Sequence, residues 1–507
     1  MKFFPKKLSL KWINQAYDNN ELTPYELVDE ILKRAEENKD KNIWIVAPSR
    51  ELMEKYISKL PPRSEDKPLW GIPFAIKDNI DLEGVPTTAA CPEYSYMPKK
   101  SAFVVQKLID AGAFPVGKTN LDQFATGLVG TRSPYGEVHN AYDDKMISGG
   151  SSSGSAVSVA LGMAAFSLGT DTAGSGRVPA MLNTLVGFKP SLGAWSTSGV
   201  VPACASLDCV TVFANSLEDT ETVNQYAKGY DAECVWSKEY EDKGKKLPEK
   251  IYLPLKEPAF FGDNADVHRA KWYSATERIK KLGVKVEYID YKMFYDAALI
   301  LYDGAYVAER WADLKEFVSE NEDKVFPVTK KILQSGGTEE KTAARLFEDL
   351  HMLQYYRHKA KEILKNAVMV MPTAGGTFTR EQVREDPVKT NSLMGLYTNH
   401  CNLLDLMAVA VPENTQDKNL PFGITIFGLA DSINLVLQTA ESFLKTESID
   451  FAVCGLHKKG YALESQLTEL GAEYIESTAT AKEYKLYKLN TNPIKPGLVR
   501  AENGENI

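Results

Sequence analysis

Residues 148–179 read SGGSSSGSAVSVALGMAAFSLGTDTAGSGRVP. Two segments rich in glycine and serine, 148–155 and 169–177, flank an alanine-rich stretch whose composition favours a buried helix. Together the two loops bring many backbone N–H groups and hydroxyls into a small volume. The segment therefore predicts a loop–helix–loop unit that can bind a negative charge.

Two simpler interpretations of this segment stay open when it is taken alone. Glycine-rich loops at helix N-termini bind phosphate, although residues 148–179 lack the Gly-Lys-Ser/Thr ending of a nucleotide-binding loop. Glycine and serine are also ordinary loop residues that merely connect elements. Lys77, on a different motif, is what makes the pattern specific.

Short apolar segments bounded by glycine and proline alternate with helical patterns along the chain. The segment WGIPFAI (70–76) predicts a buried strand leading to Lys77, and GAFPVGK (112–118) predicts another after a helix over 102–111. Further strands are predicted over 250–253, 367–372 and 420–427, and further helices over 23–35 and 434–445. Thr23 and Glu26 are expected to form a capping box at the start of the helix over 23–35. The alternation predicts an α/β fold, with a central mixed β-sheet covered by helices on both faces.

The 507 residues exceed one ordinary domain. We expect a catalytic domain over 1–447 and a small C-terminal α+β piece over 448–507. This piece is predicted to contain a strand from residue 449, a helix-like turn over 467–471 and a strand over 484–489. The second segment has few large apolar side chains for an independent core. We therefore expect it to be the start of a C-terminal domain that is incomplete.

Charge and composition exclude several classes of partner. A formal net charge of −9 leaves no basic excess for polyphosphate backbones, so no nucleic-acid partner is expected. The sequence shows no signal-peptide pattern and no run of about 18 apolar residues, so we expect a cytoplasmic protein with no membrane partner. The six cysteines and six histidines show no ligand spacing, which predicts reduced thiols, no metal and no cofactor.

Three motifs together identify the chain as a member of the amidase-signature family. They are GIPFAIKD (71–78), GGSSSGS (149–155) and GTDTAGSGRVP (169–179). The 24-residue separation of Ser151 and Ser175 matches that of the two active serines in the family. The resemblance covers nearly all of the first domain, and it implies the amidase-signature fold and a serine amidohydrolase.

By this resemblance Ser175 is the nucleophile, Ser151 is the bridging serine after a cis peptide bond, and Lys77 is the base. A serine hydroxyl is a weak nucleophile at neutral pH and needs a neighbouring base. Lysine can serve only when it is neutral, so burial must lower its pKa. Ser151 can pass a proton because a hydroxyl both donates and accepts.

The loop around the nucleophile is expected to stabilise the oxyanion of a tetrahedral intermediate. Successive backbone N–H groups of small residues are the natural donors. The expected oxyanion hole consists of Thr172, Ala173, Gly174 and Ser175. Asp171 is expected to brace this loop, and Arg177 to tie it to a carboxylate.

Within the family, LDQFATGLVGTRSPYG (121–136) looks like the allophanate hydrolases. Tyr302 and Arg310 stand at the separation of the pair that holds the substrate carboxylate in those enzymes. Eight residues span a little over two helical turns, so we expect both side chains on one face of a helix. Gly127 is expected to present its backbone to the substrate amide.

The alternative for this pair is purely structural. Arg310 would form an ion pair with Glu309 or Asp313 on a solvated helix, and Tyr302 would belong to the core. Only the resemblance favours the substrate-binding interpretation.

The C-terminal segment carries the same resemblance. Residues 452–457, 466–472 and 495–500 are similar to the start of the C-terminal domain of allophanate hydrolases. In that group the domain handles the product of the first hydrolysis.

The resemblance implies hydrolysis of allophanate (urea-1-carboxylate) with release of ammonia, through an acyl-enzyme, in urea breakdown. Three other interpretations stay open: an amidase for another small amide, the glutamine-hydrolysing subunit of an amidotransferase, and a catalytically silent scaffold. The implied partners are a small anionic substrate, a second copy in a homodimer, and a biotin-dependent urea carboxylase as a functional link.

Overall fold

A computed structural model of the chain describes residues 4–64, 67–241, 243–414 and 420–446. Towards the C-terminus it describes residues 453, 455–468, 472, 474, 477, 484–489 and 495–500. The chain divides into two compact units, Met1–Glu447 and Ser448–Ile507. The residues expected to be catalytic all belong to the first unit.

The helices of the described residues are α1 (Leu10–Asp18), α2 (Pro24–Glu37), α3 (Arg50–Ile57), α4 (Phe103–Asp110), α5 (Ser153–Ala160), α6 (Val178–Leu182), α7 (Leu217–Ala227), α8 (Ala265–Lys280), α9 (Lys292–Leu299), α10 (Val307–Glu320), α11 (Pro327–Ser335), α12 (Ala343–Ile363), α13 (Arg380–Glu385), α14 (Lys389–Met394), α15 (His400–Leu403), α16 (Ile433–Lys445) and α17 (Glu464–Thr468). The strands are β1 (Trp44–Val46), β2 (Pro73–Lys77), β3 (Phe114–Thr119), β4 (Phe166–Asp171), β5 (Val186–Lys189), β6 (Cys209–Ala214), β7 (Lys250–Pro254), β8 (Lys285–Ile289), β9 (Ala367–Pro372), β10 (Leu406–Pro412), β11 (Gly423–Leu429), β12 (Tyr484–Leu489) and β13 (Lys495–Arg500).

The first unit is built on one 11-stranded sheet in the order β1-β3-β2-β4-β6-β5-β10-β11-β9-β7-β8. β2 runs parallel to β3 and β4, and β7 runs parallel to β8 and β9. The strands between β4 and β9 pair antiparallel. The predicted mixed sheet is therefore confirmed. Its central strands are buried at every residue, or all but one in β11. Since successive side chains point to opposite faces, both faces are covered.

The parallel pairing of β2 and β4 brings the sequence motifs together. Phe74 lies opposite Phe166 and Ile76 lies opposite Leu168. Carboxyl ends of parallel neighbours meet at the same edge of a sheet. Lys77 at the end of β2 therefore lies beside the end of β4 and the glycine-rich loop that follows.

Helix α5 packs against this part of the sheet, and all its residues are buried. A Cβ on Gly154 would lie 2.3 Å from the carbonyl oxygen of Ile43 and 2.9 Å from the amide of Asn120. Only glycine permits this approach to the neighbouring backbone. The small side chains that mark the motif in the sequence thus let α5 lie close to the strand ends.

The predicted helix start at Thr23 is confirmed. The Thr23 side chain accepts a hydrogen bond from the Glu26 backbone, and the Glu26 side chain accepts one from the Thr23 backbone. This capping box satisfies two of the N–H groups that a helix start leaves free.

Several elements of the first unit were not predicted, among them α1 and β10. Helix α1 precedes the predicted first helix, and β10 lies in the middle of the sheet. The sequence of β10, LMAVAVP, is a continuous apolar run, which periodicity alone cannot distinguish from part of a buried helix.

The second unit contains α17 and the antiparallel pair of β12 and β13. The predicted strand over 484–489 is confirmed, whereas β13 was not predicted. The predicted strand from residue 449 lies mainly outside the described residues, as does the end of the predicted turn over 467–471. In the part of the chain that is described, no helix is long and apolar enough to cross a membrane.

Candidate active site

Three side chains from separate segments form a continuous hydrogen-bonded chain. Lys77 Nζ lies 2.8 Å from Ser151 Oγ, and Ser151 Oγ lies 3.0 Å from Ser175 Oγ. All three residues are buried. The peptide bond between Gly150 and Ser151 is cis, as the resemblance implies. The fold thus brings together the three residues expected to act in catalysis.

Each of the three residues has a defined position in the fold. Lys77 is the last residue of β2. Ser151 lies two residues before α5 begins, and Ser175 lies in the turn between β4 and α6. The relay is therefore assembled at one edge of the sheet from two strand ends and a helix start.

The Lys77 side chain lies in an environment that disfavours its charge. Its Nζ is 2.7 Å from Thr170 Oγ1, and across the described ranges no carboxylate oxygen lies within 4.0 Å of it. Burial lowers the pKa of Lys77 to about 7, against the opposing effect of the Asp122, Asp208 and Asp171 carboxylates. Near pH 7 the amine is therefore neutral in a substantial fraction of the molecules.

The direction of the hydrogen bonds depends on the state of this amine. A charged Lys77 donates to Ser151, Ser151 donates to Ser175, and Ser175 donates to the Gly127 carbonyl at 3.5 Å. A neutral amine offers a lone pair, so Ser151 can donate to Lys77 and accept from Ser175. The arrangement can thereby take the proton from the Ser175 hydroxyl as that oxygen attacks.

A buried ion pair braces the loop that carries Ser175. The Arg177 guanidinium binds both Asp171 oxygens, at 2.9 and 3.0 Å, and donates to the Thr398 carbonyl at 3.2 Å. Asp171 also accepts from the Gly176 N–H at 2.9 Å. Burial alone would raise the pKa of Asp171, but Arg177 holds it below its ordinary value. The predicted roles of Asp171 as a brace and of Arg177 as its partner are confirmed.

The expected oxyanion donors lie in the same loop. In the described chain, no hydrogen bond runs from the backbone N–H of Ala173, Gly174 or Ser175 to a protein acceptor. Gly174 has φ +152°, and a Cβ there would lie 2.3 Å from Thr398 Oγ1. Only glycine fits this position, and the N–H groups around it are left for another acceptor.

Asp208 holds the start of this loop from the other side. Its carboxylate accepts from the Thr172 hydroxyl and from the backbone N–H groups of Ala203 and Cys204. Burial raises the pKa of Asp208 to about 6, against the lowering effect of these hydrogen bonds. Asp208 was not predicted, because no local pattern links it to Thr172, which lies 36 residues earlier in the sequence.

The segment 122–132 forms the wall facing Ser175. Asp122 accepts from the backbone N–H groups of Val129, Gly130 and Arg132, at 2.9–3.2 Å. The Asp122 N–H donates to the Ser151 carbonyl at 3.1 Å, which ties this wall to the bridging serine. The result is that the Gly127 carbonyl faces Ser175, and the expectation that Gly127 presents its backbone to the substrate stays a prediction.

Tyr302 and Arg310 come together, but not on one helix as expected. Arg310 belongs to α10, whereas Tyr302 lies in the turn between α9 and α10. The centre of the Tyr302 ring is 5.5 Å from Arg310 Cζ. The prediction of a shared helix face is therefore wrong, because the chain turns between Leu299 and Val307 instead of continuing as helix.

The structural alternative for Arg310 is also wrong. Glu309 accepts instead from the Ser206 backbone and hydroxyl at 2.7 Å and from the Cys204 thiol at 3.0 Å. Arg310 is 1% exposed and donates to the Thr126 hydroxyl at 3.1 Å. Within the described residues no carboxylate oxygen lies within 4.0 Å of its guanidinium, and its Nε has no partner. Such a buried cation suits an anionic ligand.

The structure excludes a phosphate-binding loop at a second place in the sequence. Residues 112–119, GAFPVGKT, match the string of a phosphate-binding loop. They run into strand β3, and the Lys118 amine is paired with Asp78 at 3.1 Å. A strand cannot wrap phosphate, and this lysine is already neutralised.

The structure describes five of the six cysteines, and these are free thiols, including the neighbours Cys204 and Cys209. Cys454 lies outside the described residues. Over the positions that can be searched, no group of three or more His, Cys, Asp or Glu could hold a metal ion.

Three residues around the site were missed besides Asp208. Thr170 contacts the amine of Lys77, and Asp122 and Arg132 organise the wall opposite Ser175. Asp122 and Arg132 are the only charged residues in segment 121–136, which was the signal available. Charged side chains are almost never fully buried unless they are paired or hydrogen-bonded, so the burial of this loop depends on the partners of Asp122 and Arg132.

The relay, the loops and the sheet define an amidase, and the chain belongs to the amidase family. The family model for amidases matches residues 26–437. A second family model, described as the allophanate hydrolase C-terminal domain, matches residues 449–507. The predicted class, a hydrolase that acts on C–N bonds, is confirmed at the level of the family.

The relatives of the chain within this family include a urea amidolyase, an allophanate hydrolase and an amidotransferase subunit. The chain is 37% identical to a urea amidolyase of Saccharomyces cerevisiae over 98% of its own length, but spans only 29% of that protein. It superimposes on Kluyveromyces lactis allophanate hydrolase with a TM-score of 0.79 and 36% identity, covering 99% of this chain and 88% of that one. It is also 32% identical to a glutamyl-tRNA(Gln) amidotransferase subunit of Methanosarcina mazei, over 76% of this chain and 87% of the relative.

Removing one partner of the buried Asp171–Arg177 pair should destabilise the first unit. Arg177→Met leaves the Asp171 carboxylate buried without its cation, and should lower the free energy of unfolding by about 3–5 kcal/mol. Urea denaturation monitored by tryptophan fluorescence measures the change. The control Arg50→Met removes an arginine from an exposed ion pair and should leave the midpoint unchanged. Equal effects of the two variants would contradict the bracing role.

Proposed function

We propose that the chain hydrolyses allophanate with release of ammonia, using Ser175 as nucleophile, Ser151 as proton bridge and Lys77 as base. The observation that carries the proposal is the Lys77–Ser151–Ser175 relay ending near a buried arginine that, among the described residues, has no carboxylate partner. Similarity to proteins named urea amidolyase and allophanate hydrolase supports the same substrate.

The first half of the reaction forms an acyl-enzyme. The neutral Lys77 amine accepts the Ser151 proton while Ser151 accepts the Ser175 proton, and Ser175 Oγ attacks the amide carbonyl of allophanate. The resulting oxyanion accepts hydrogen bonds from the backbone N–H groups of Thr172, Ala173, Gly174 and Ser175. The C–N bond to the terminal nitrogen then breaks, the proton returns through Ser151 to that nitrogen, and ammonia leaves.

The second half reverses the same relay. Water replaces ammonia, gives its proton through Ser151 to Lys77, and attacks the acyl carbon. Breaking the ester bond returns a proton to Ser175. The released product carries two carboxyl groups on one nitrogen. Each step needs Lys77 to alternate between neutral and charged forms, which a pKa near 7 permits.

The substrate carboxylate is held by Arg310, with the Tyr302 hydroxyl as a second donor. A guanidinium presents two parallel N–H groups to a carboxylate and is always charged. The Gly127 carbonyl accepts from the substrate amide N–H while Ser175 attacks. This combination selects a small amide that carries an acid group a short distance from the carbonyl.

The remaining assignments extend this proposal to the rest of the chain. Residues 1–447 form the catalytic domain, and residues 448–507 belong to a domain that handles the product of the first hydrolysis. The enzyme acts in the cytoplasm as a homodimer. A biotin-dependent urea carboxylase supplies its substrate.

The substrate is tested by a coupled ammonia assay with allophanate, malonamate, glutamine and benzamide. Allophanate should give the highest kcat/KM. Ser175→Ala should lower kcat by at least about 10⁴-fold, since the nucleophile itself is removed. The control Ser158→Ala changes a buried serine of α5 whose hydroxyl donates to the Ser155 carbonyl, and should keep most of the activity. Turnover of glutamine with none of allophanate would favour the amidotransferase interpretation instead.

The base is tested by a pH–rate profile. Because the neutral form of Lys77 is active and its pKa is lowered to about 7, kcat/KM should fall below pH 7 and reach a plateau above it. An ordinary lysine would keep the rate rising towards pH 10. Lys77→Ala should abolish the acidic limb along with about 10²–10⁴-fold of the rate. The exposed Lys33→Ala is the control; a near-normal rate for Lys77→Ala would show that the base is another group.

The carboxylate clamp is tested with Arg310→Met. Loss of a charge-assisted pair of hydrogen bonds should raise KM for allophanate by about 10- to 100-fold. KM for benzamide, which has no carboxylate, should change little. Arg50→Met serves again as the surface control. Equal changes for the two substrates would assign Arg310 a structural role.

A further inference from the structure

Two buried guanidiniums converge on one threonine beside the nucleophile. Arg132 donates to the Thr126 carbonyl at 3.0 Å, and Arg310 donates to the Thr126 hydroxyl at 3.1 Å. Arg132 also donates to the Pro387 carbonyl at 2.7 Å. Each arginine is 1% exposed. The next residue after Thr126 is Gly127, whose carbonyl faces Ser175.

Neither cation is neutralised by a carboxylate in contact with it. Among the described residues no carboxylate oxygen lies within 4.0 Å of either guanidinium, and the Nε of each is buried without a partner. The three nearby acids are engaged elsewhere. Asp122 and Asp208 accept mainly from backbone N–H groups, and Glu309 accepts from Ser206 and Cys204.

Two like charges buried close together cost free energy unless an anion joins them. Burial lowers the pKa of Arg132, the Asp122 carboxylate opposes this, and the neighbouring Arg310 lowers it further. Structural arginines in the same chain are arranged differently. Arg177 binds Asp171 at 2.9 Å, and Arg34 binds Glu30 at 2.8 Å.

We propose that Arg132 is a specificity-determining positioning residue, which keeps the subsite around Arg310 and Thr126 positively charged and so selects anionic amides over neutral ones. The inference rests on the proposed function and deepens it. Both Arg132 Nη atoms are occupied by backbone carbonyls, so Arg132 acts through its charge and through Thr126. Arg310 remains the group that contacts the substrate carboxylate.

The selectivity is measured with allophanate and biuret, its neutral analogue in which a carboxamide replaces the carboxylate. Arg132→Met should lower the ratio of kcat/KM for allophanate to that for biuret about tenfold, through KM for allophanate, because a nearby charge is lost. Arg132→Lys keeps the charge and should keep most of the ratio. An unchanged ratio in Arg132→Met, or an equal loss in Arg132→Lys, would overturn the proposal.

The matched control is Arg34→Met. Arg34 is a buried arginine that likewise donates to backbone carbonyls, those of Pro5 at 2.7 Å and Gly162 at 2.9 Å, but it has its own carboxylate. Its loss should lower thermal stability and leave the substrate ratio unchanged. A ratio that falls equally in Arg34→Met would show that general loosening of the fold produces the effect. If Arg132→Met does not fold, Arg132→Lys and Arg132→Gln decide: only Gln should lose the ratio.

A binding measurement separates this inference from the proposed reaction. In the Ser175→Ala background, malonate should raise the melting temperature, and Arg132→Met should remove most of that rise. If the wild type hydrolyses no allophanate but malonate stabilisation still depends on Arg132, the proposed function fails and the anion subsite stands. If allophanate is hydrolysed and malonate binds Arg132→Met as tightly as its parent, the proposed function stands and this inference fails.

Discussion

The buried amine of Lys77 is the interaction on which the rest of the site depends. An ammonium ion in the protein interior loses its hydration, and only strong partners can compensate. Lys77 has two hydroxyls instead, those of Ser151 and Thr170. The charge is therefore easily given up, and the amine can act as a base. The small residues of α5 serve this environment, since they let the helix close over the strand ends.

The surrounding carboxylates set how far this effect goes. Asp122, Asp171 and Asp208 all raise the pKa of Lys77 against burial. None of them touches the amine, because their oxygens are engaged by backbone N–H groups, Arg177 or Thr172. Each acid thus braces a loop of the site while moderating the base from a distance. A carboxylate in direct contact with the amine would hold the lysine charged. Without any of these carboxylates, protonation of the amine during turnover would be more difficult.

The parts that could be predicted are those encoded locally. The capping box at Thr23 needs four consecutive residues, and the relay lies in three short motifs whose spacing is characteristic. The parts that were missed depend on tertiary contacts. Asp208 joins Thr172 only because β6 pairs with β4. Strand β10 is an apolar run whose conformation is decided by its neighbours in the sheet.

Tyr302 and Arg310 lie close together, as predicted, but the helix geometry from which this was predicted is wrong. A separation of eight residues fits a helix, but the chain turns between α9 and α10, and the carboxylate of Asp349 holds this turn through the Ala305 N–H at 2.7 Å. This turn brings the two side chains together. The relay is assembled from two strand ends of the sheet and the start of a helix, whereas Arg310 lies on another helix and Arg132 lies in a loop. Substitutions in the latter elements can change which amide is bound without disturbing the groups that move the proton.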